Sequence, residues 1–138
     1  MTDYLEYIAG LIGALAGYFF GGFDGLIKAL IAFAVVDYFT GMAAAWYSNE
    51  LSSQIGFKGI LRKVTMFVLV GVAHIVDREL VSKVLGNAAI LREGVLYSFL
   101  VNETLSIIEN ANKMDIPMPE VLTKHLLQIK NKHTEPLK

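Results

Sequence analysis

Tyr7-Ile8-Ala9-Gly10-Leu11-Ile12-Gly13-Ala14-Leu15-Ala16-Gly17-Tyr18-Phe19-Phe20-Gly21-Gly22-Phe23 is a run of seventeen residues without a charge, bracketed by Glu6 and Asp24. At about 1.5 Å rise per residue it forms a rod of roughly 25 Å, near the lower limit for crossing a hydrocarbon core. Gly13, Gly17, Gly21 and Gly25 recur at every fourth position and so line one side of such a helix. In water each glycine costs about 1 kcal/mol relative to alanine in a helix interior, whereas in lipid small residues let two backbones approach and pack by dispersion. The ladder therefore reads as a helix-association face in a bilayer. Its partner is either another helix of the same chain or another subunit.

Composition points the same way. Of 138 residues, 54% are hydrophobic and only 18% charged, which is too apolar for an ordinary soluble domain and too short for several domains. The net charge of −1, with no basic run interleaved with aromatics, excludes nucleic acid as an expected partner. Cysteine is absent, so neither disulfides nor thiolate metal sites are expected. Asp3 and Glu6 make the N-terminus acidic where a cleavable signal peptide would be basic, so the first apolar segment is expected to stay as an anchor.

Three more apolar segments follow. Ala29 to Tyr47 carries a single charge, Asp37, near its middle; Val64 to Val76 is charge-free; Gly94 to Ile108 is apolar apart from Asn102, Glu103 and hydroxyls. The third segment alone suits a re-entrant piece, but extended from Ile60 to Leu80 it spans, provided that Arg62, Lys63 and Arg78 snorkel to the interfaces. The fourth extends N-terminally through Asn87-Ala88-Ala89-Ile90-Leu91, taking in Arg92 and Glu93. The expected architecture is an all-α integral membrane protein: a four-helix transmembrane bundle over residues 1–112, with spans near 7–23, 29–47, 60–80 and 89–108. Residues 113–138 form a cytoplasmic tail.

Charge sets the orientation. With four spans and both termini cytoplasmic, Lys58, Arg62, Lys63 and the five lysines after residue 110 face inward, against Lys28, Arg78, Lys83 and Arg92 outside. With three spans the bias vanishes, so the positive-inside rule selects four. Gly21-Gly22-Phe23-Asp24-Gly25 is then the tight outer turn of a helical hairpin. In the tail, Met118, Val121, Leu122, Leu126 and Ile129 recur at helical spacing behind Pro117 and Pro119. This predicts a short amphipathic helix with Pro119 in its first turn and Lys130 and Lys132 at its C-terminal dipole. Packing or resting on the membrane surface is its plain role, and partner binding the alternative.

Asp37 is the sharpest anomaly. A carboxylate at mid-span costs about 2.5–3.5 kcal/mol on insertion scales, so it should face the bundle interior, a water-filled path or a partner. Counting ten residues from the expected cytoplasmic ends puts Asp37 and His74 at similar depth, which suggests a pair; a lone histidine bonded to a backbone carbonyl is the alternative. Glu103 and Asn102 lie nearer the cytoplasmic end, where Glu103 can pair with Arg62 or Lys63. One intramembrane aspartate is too few for an aspartyl protease dyad. His74, His125 and His133 lack metal-ligand spacing, and Gly56-Phe57-Lys58-Gly59 lacks P-loop spacing, so no enzyme, metal or cofactor is expected.

Asp37-Tyr38-Phe39-Thr40-Gly41-Met42-Ala43-Ala44, followed by Ser52-Ser53-Gln54-Ile55-Gly56-Phe57-Lys58-Gly59-Ile60-Leu61-Arg62-Lys63, resembles the phage-lysis and toxin-secretion holin family. Asn102-Glu103-Thr104-Leu105-Ser106-Ile107-Ile108-Glu109-Asn110-Ala111 and Ile116-Pro117-Met118-Pro119-Glu120-Val121-Leu122 are similar to its last span and the start of its tail. The resemblance covers about residues 30 to 125. It implies a protein of the bacterial cytoplasmic membrane that accumulates, forms homo-oligomers amid the lipid and opens lesions through which an endolysin, or in some relatives a large toxin, leaves the cell. The family offers no catalytic residues to carry over. Helix packing then falls to Gly13, Gly17, Gly21 and Gly25, and a water-tolerant face to Asp37, Thr40, His74, Asn102 and Glu103, with Lys58, Arg62 and Lys63 as the basic cytoplasmic loop. The competing readings are a small ion channel or transporter subunit with Asp37 as its ion site, and a membrane scaffold whose tail recruits a cytoplasmic partner.

Overall fold

The computed structural model describes residues 1–86 and 89–134, and helices are the regular elements among them. Helix α1 (Thr2–Phe20) stops because Gly21 turns left-handed at φ 75°, with the Gly22 N–H closing on the Gly17 carbonyl at 2.7 Å. This is the usual glycine-terminated helix end. Asp24 then starts α2 (Gly25–Tyr47) by accepting the Ile27 N–H at 3.1 Å. Ser52 does the same for α3 (Ser53–Val76), accepting from Ile55 at 3.3 Å. Helix α3 continues through a π turn, Asp77–Val81, to Ser82–Leu85, making one rod of 33 residues. Helix α4 covers Ile90–Lys113, and α5 covers Glu120–Thr134, just after Pro119.

Two of these helices, Gly25–Tyr47 and Ser53–Leu85, are long and apolar enough to cross a membrane. The third segment, whose charge-free run looked short, is thus part of the longest helix. Helix α1 brings Asp3 and Glu6 and its weakly apolar glycines into the count, and α4 brings Arg92, Glu93, Glu103, Glu109 and Lys113. Each helix overruns the expected span: α1 begins at Thr2 rather than residue 7, α2 at Gly25 rather than 29, α3 at Ser53 rather than 60, and α4 ends at Lys113 rather than 108. The proposed extension through Asn87 and Ala88, the tail end at 135–138 and the side chains of Leu126, Lys130 and His133 lie outside the described residues.

The chain is built in levels. Helices α2 and α4 make the most extensive contact, α3 leans on α4, and α5 touches α4. Near the α1–α2 turn a small core joins Ile27, Leu30 and Ala34 of α2 to Met66 and Val70 of α3 and Leu96 of α4, ringed by Phe20, Phe67 and Phe99. Polar groups are buried on both sides of it, Glu103 and Asn110 toward the α2–α3 loop and Asp77 and Arg92 toward the α1–α2 turn. Asp77, Arg92, Glu103 and Asn110 are each at most 7% exposed, while Phe39 is 66% exposed and Val35, Val68, Leu69 and Val72 all face outward. Charges inside and aliphatic side chains outside is the arrangement lipid favours, because lipid solvates aliphatic surface and leaves buried polar groups to one another.

The α1–α2 turn forms as the glycines suggested, but its two arms do not pack as a hairpin. Helix α1 makes its packing contacts with α3, and only through its last turn. Phe19 is pressed onto Gly71, Phe20 meets Phe67 edge-on at 6.2 Å, and the Tyr18 ring carries the Arg78 guanidinium at 4.5 Å. Every residue from Met1 to Leu15 is exposed. A β-carbon added at Gly10, Gly13 or Gly25 would meet nothing within 4 Å, and one at Gly17 would only graze Phe23 at 4.0 Å. Gly21 differs: its left-handed φ and the His74 ring lying against its α-carbon both exclude a side chain. Other glycines seat neighbours within the chain: on α3, Gly56 and Gly59 take Tyr38 and Gly71 takes Phe19, and on α2 Gly41 takes Asn110.

These two kinds of glycine should behave oppositely. Gly21→Ala is expected to lower the stability of detergent-solubilised protein by about 1–2 kcal/mol, the cost of a β-carbon in the left-handed region. Gly13→Ala should raise it by up to about 1 kcal/mol through helix propensity. Denaturant titration followed by circular dichroism reads both, and equal effects at the two positions would contradict this account of α1.

Candidate functional site

The chemistry of the chain gathers below the apolar core, where α2, α3 and α4 each bring one charge to the same level. Lys63 of α3 donates to Asp37 Oδ2 of α2 and to Glu103 Oε2 of α4. Asn110, two turns beyond Glu103 on the same face, donates to Asp37 Oδ1 at 3.0 Å and to Thr40 Oγ1 at 3.1 Å. The Thr40 hydroxyl donates in turn to the Asp37 carbonyl at 3.1 Å, one turn back along α2. All five side chains are buried or half-buried. Two carboxylates share one ammonium, and an amide closes the remaining side of Asp37.

His74 is not part of this cluster. Ten residues from the start of α3, counted from its capped beginning at Ser53, is Lys63; the helix starts eleven residues before Val64, so the residue level with Asp37 changes accordingly. At about 1.5 Å per residue, His74 lies roughly 16 Å farther along α3. It rests on Gly21 instead. Lys63 does not snorkel to the interface as a span end would; it turns inward. Glu103 bonds Lys63 rather than Arg62. Asn102 also departs from expectation: one residue before Glu103, it is rotated about 100° around the helix and is exposed. Asn110 holds the interior position in its place.

Asp37, Lys63 and Asn110 also line a cleft of about 370 Å³ that opens toward the α2–α3 loop. Lys58 and Arg62, the other members of the basic loop, stand exposed on its wall. Among the described residues no group of histidine and carboxylate side chains is arranged to hold a metal ion.

A second polar knot lies at the opposite end and escaped the sequence reading. Arg92, 4% exposed, donates from Nε to the Phe20 carbonyl, from Nη2 to the Gly22 carbonyl at 3.3 Å, and from Nη1 to Asp24 at 2.7 Å. It thereby ties the α1–α2 turn to α4. Asp77, 3% exposed, receives the backbone N–H groups of Leu91 at 3.0 Å and Arg92 at 2.7 Å, capping α4 from the end of α3. A carboxylate at a helix N-terminus satisfies free N–H groups and meets the positive end of the dipole. Composition alone placed Arg92 among outer-loop charges. The signal that it was buried is its position just inside an apolar run that offers no ion-pair partner at helical spacing.

The bacteriophage holin family model matches residues 14–131, nearly the whole chain. The chain belongs to the bacteriophage holin family. Its relatives span several genera: an uncharacterized protein of Listeria monocytogenes is 43% identical over 115 residues, covering 83% of this chain and 79% of that protein. An uncharacterized 14.9 kDa protein of Clostridium perfringens is 34% identical over 96% of this chain and 97% of its own length. One of Halalkalibacterium halodurans is 32% identical over 94% and 96%. No solved structure matches. The holin family is not an enzyme family.

Two tests follow from the clusters. Replacing Lys63 by Met leaves two carboxylates buried together without a counter-charge, and should destabilise the protein by about 3–5 kcal/mol. Adding Glu103→Gln to that variant should recover part of the loss; a double variant no more stable than Lys63→Met would show that the charges are not coupled. At the other end, the hydrogen bond from Arg92 holds the Asp24 carboxyl below its usual range. A carboxylate lowered on folding stabilises above its unfolded pKa, about 3.9, and that contribution disappears as pH falls through the lower folded value. Asp24→Asn should therefore flatten the acid limb of a stability–pH curve below about pH 4 while leaving its neutral region nearly parallel to the parent's.

Proposed function

We propose that this chain is a holin that accumulates in the bacterial cytoplasmic membrane, self-associates and opens lesions through which an endolysin, or a comparable large protein, reaches the cell wall. The observation that carries the reading is the glycine face of α1, where a β-carbon added at Gly10 or Gly13 would meet nothing among the described residues within 4 Å. In lipid such a face is a surface for close helix–helix contact. Family membership supplies the class of activity, and the exposed aliphatic sides of α2 and α3 support residence in a bilayer.

In this reading all four helices α1 to α4 cross the membrane, with both termini and the α2–α3 loop in the cytoplasm and α5 at the inner surface. The charge bias supports that orientation even after Lys63 and Arg92, both bonded inside the bundle, are set aside. Association rests on the α1 face around Gly10, Gly13 and Gly17. Gly21 belongs to the turn. The cluster of Asp37, Thr40, Lys63, Glu103 and Asn110 holds the subunit together before triggering and supplies a polar surface that tolerates water when helices separate. Each intersubunit contact in a membrane is weak, with interhelical hydrogen bonds averaging about 0.6 kcal/mol, so opening requires many subunits and a threshold density.

The chain should be expressed in bacteria with and without a cytoplasmic muramidase while culture density and membrane potential are followed. Abrupt lysis that requires both proteins is the expected result. Loss of potential without muramidase escape would replace this reading by an ion channel, and neither effect would leave a membrane scaffold. Gly10→Leu with Gly13→Leu should keep membrane insertion yet delay lysis and reduce crosslinked oligomers; unchanged timing would remove α1 from the mechanism.

A further inference from the structure

The cleft beneath the charge cluster has features that self-association does not use. It is bounded by the last turns of α2, the first turns of α3 and the last turns of α4, with Ala44, Ala45 and Ser48 on one wall and Ser106, Asn110 and Lys113 on another. Trp46 and Tyr47 stand at the same level of α2, 72% and 51% exposed. Exposed tryptophan and tyrosine at a helix end mark the depth of lipid headgroups. The cleft therefore opens at headgroup level, between helices rather than into bulk water.

Its charges are arranged in an unusual way. Lys63 and Asp37 are already bonded to each other. Lys58, Arg62 and Lys113 also line the cleft, together with Glu50 and Glu109, and among the described residues none of these five has an ion-pair partner. Three cations and two carboxylates face one space of about 370 Å³ without pairing, a volume within the range of small-molecule sites. A purely anionic ligand would satisfy the cations and meet the carboxylates unfavourably. A ligand carrying a phosphate and, a few bonds away, an ammonium with N–H donors complements both.

We propose that this cleft binds the headgroup of an aminophospholipid, with its phosphate held by Lys58, Arg62 and Lys113 and its ammonium by Glu50 and Glu109. Basic pockets between membrane helices recognise phosphate headgroups by this electrostatic logic, and the two carboxylates add selectivity for a protonated amine. A lipid seated there touches α2, α3 and α4 at the level just below the Lys63 cluster, so lipid composition bears on the stability of the closed subunit. The proposal rests on the membrane reading given above.

Full-length protein would be reconstituted into vesicles holding equal amounts of phosphatidylethanolamine, phosphatidylglycerol and phosphatidylcholine, floated to check insertion, then extracted mildly. Native mass spectrometry would read the lipid retained per subunit. Phosphatidylethanolamine should be enriched over both others, because phosphatidylglycerol lacks the ammonium and phosphatidylcholine lacks N–H donors. Arg62→Gln should cut retention by roughly fivefold, the factor corresponding to about 1 kcal/mol per basic residue at the interface. Glu109→Gln should erase the preference for phosphatidylethanolamine over phosphatidylglycerol, while Lys28→Gln, at the opposite end, should change nothing. Circular dichroism would establish that each variant keeps its helicity. Inserted protein that retains lipids in bulk proportion, or that prefers phosphatidylglycerol, overturns the headgroup site and leaves the holin reading standing. Failure to float with vesicles overturns the membrane reading itself.

Discussion

The ammonium of Lys63, shared by Asp37 and Glu103, fixes three helices at one depth. In lipid there is no hydrophobic drive to press aliphatic helices together, so relative register must come from packing and from polar groups that have nowhere else to go. A lysine between two carboxylates on different helices is such a device: sliding any one helix by a single turn would strand a charge in a low-dielectric interior. Asn110 and Thr40 extend the constraint by closing the remaining side of Asp37. At the opposite end Arg92 and Asp77 bind the α1–α2 turn, the end of α3 and the start of α4. The apolar core of Ile27, Leu30, Val70 and Leu96 lies between two polar clamps and fills the space they define.

The division of labour explains which features were legible in the chain and which were not. Asp37 could be assigned to the interior from the cost of exposing a carboxylate to lipid. Its partner could not, because Lys63 follows Lys58 and Arg62 and shares the composition of a snorkelling interface. What decides its direction is the start of α3 at the Ser52 cap, eleven residues before the charge-free run, which brings Lys63 level with Asp37. A hydropathy window finds where charge is absent, whereas a helix begins where its N–H groups find a cap. The same shift removes His74 from the cluster. Asn102 and Asn110 have equal polarity, and only the helical phase set by Glu103 separates the exposed one from the buried one. The stretches that resemble the family contain Asp37, Thr40, Lys63, Glu103 and Asn110, yet a motif read as a string does not say which members bond.

Glycine spacing was the most conspicuous pattern in the sequence and the one most altered by the structure. A four-residue period treats Gly13, Gly17 and Gly21 as equivalent, but Gly21 is a helix terminator with a positive φ and a histidine ring against it. Three glycines that admit close contact inside the chain are spaced without a regular period on α3, and each admits an aromatic ring: Tyr38 over Gly56 and Gly59, Phe19 over Gly71. A ring set into the notch left by a missing side chain is a dispersion contact that requires one small partner, not a ladder of them. Regular spacing is needed only where two whole helices run side by side.

That distinction bears on α1. A helix attached by its last turn alone, through Phe19, Phe20, Tyr18 and the Arg92 clamp, has a fixed root and a free length. Its glycines from Gly10 to Gly17 follow the regular pattern suited to a parallel or antiparallel helix neighbour, and among the described residues no helix fills that place. In water such a helix would be a liability, both for its exposed leucines and isoleucines and for the propensity lost at each glycine, about 1 kcal/mol apiece. In lipid the exposed aliphatic surface costs nothing, and the glycines lower the barrier to close approach by a second backbone. In the holin function proposed above, a face that is tolerable when empty and favourable when filled would make association depend on how many copies share the membrane, since dilute chains would lose little by remaining single. Weak contacts of this kind, repeated along a helix and summed over many subunits, give a sharp response to accumulation without requiring any one contact to be strong.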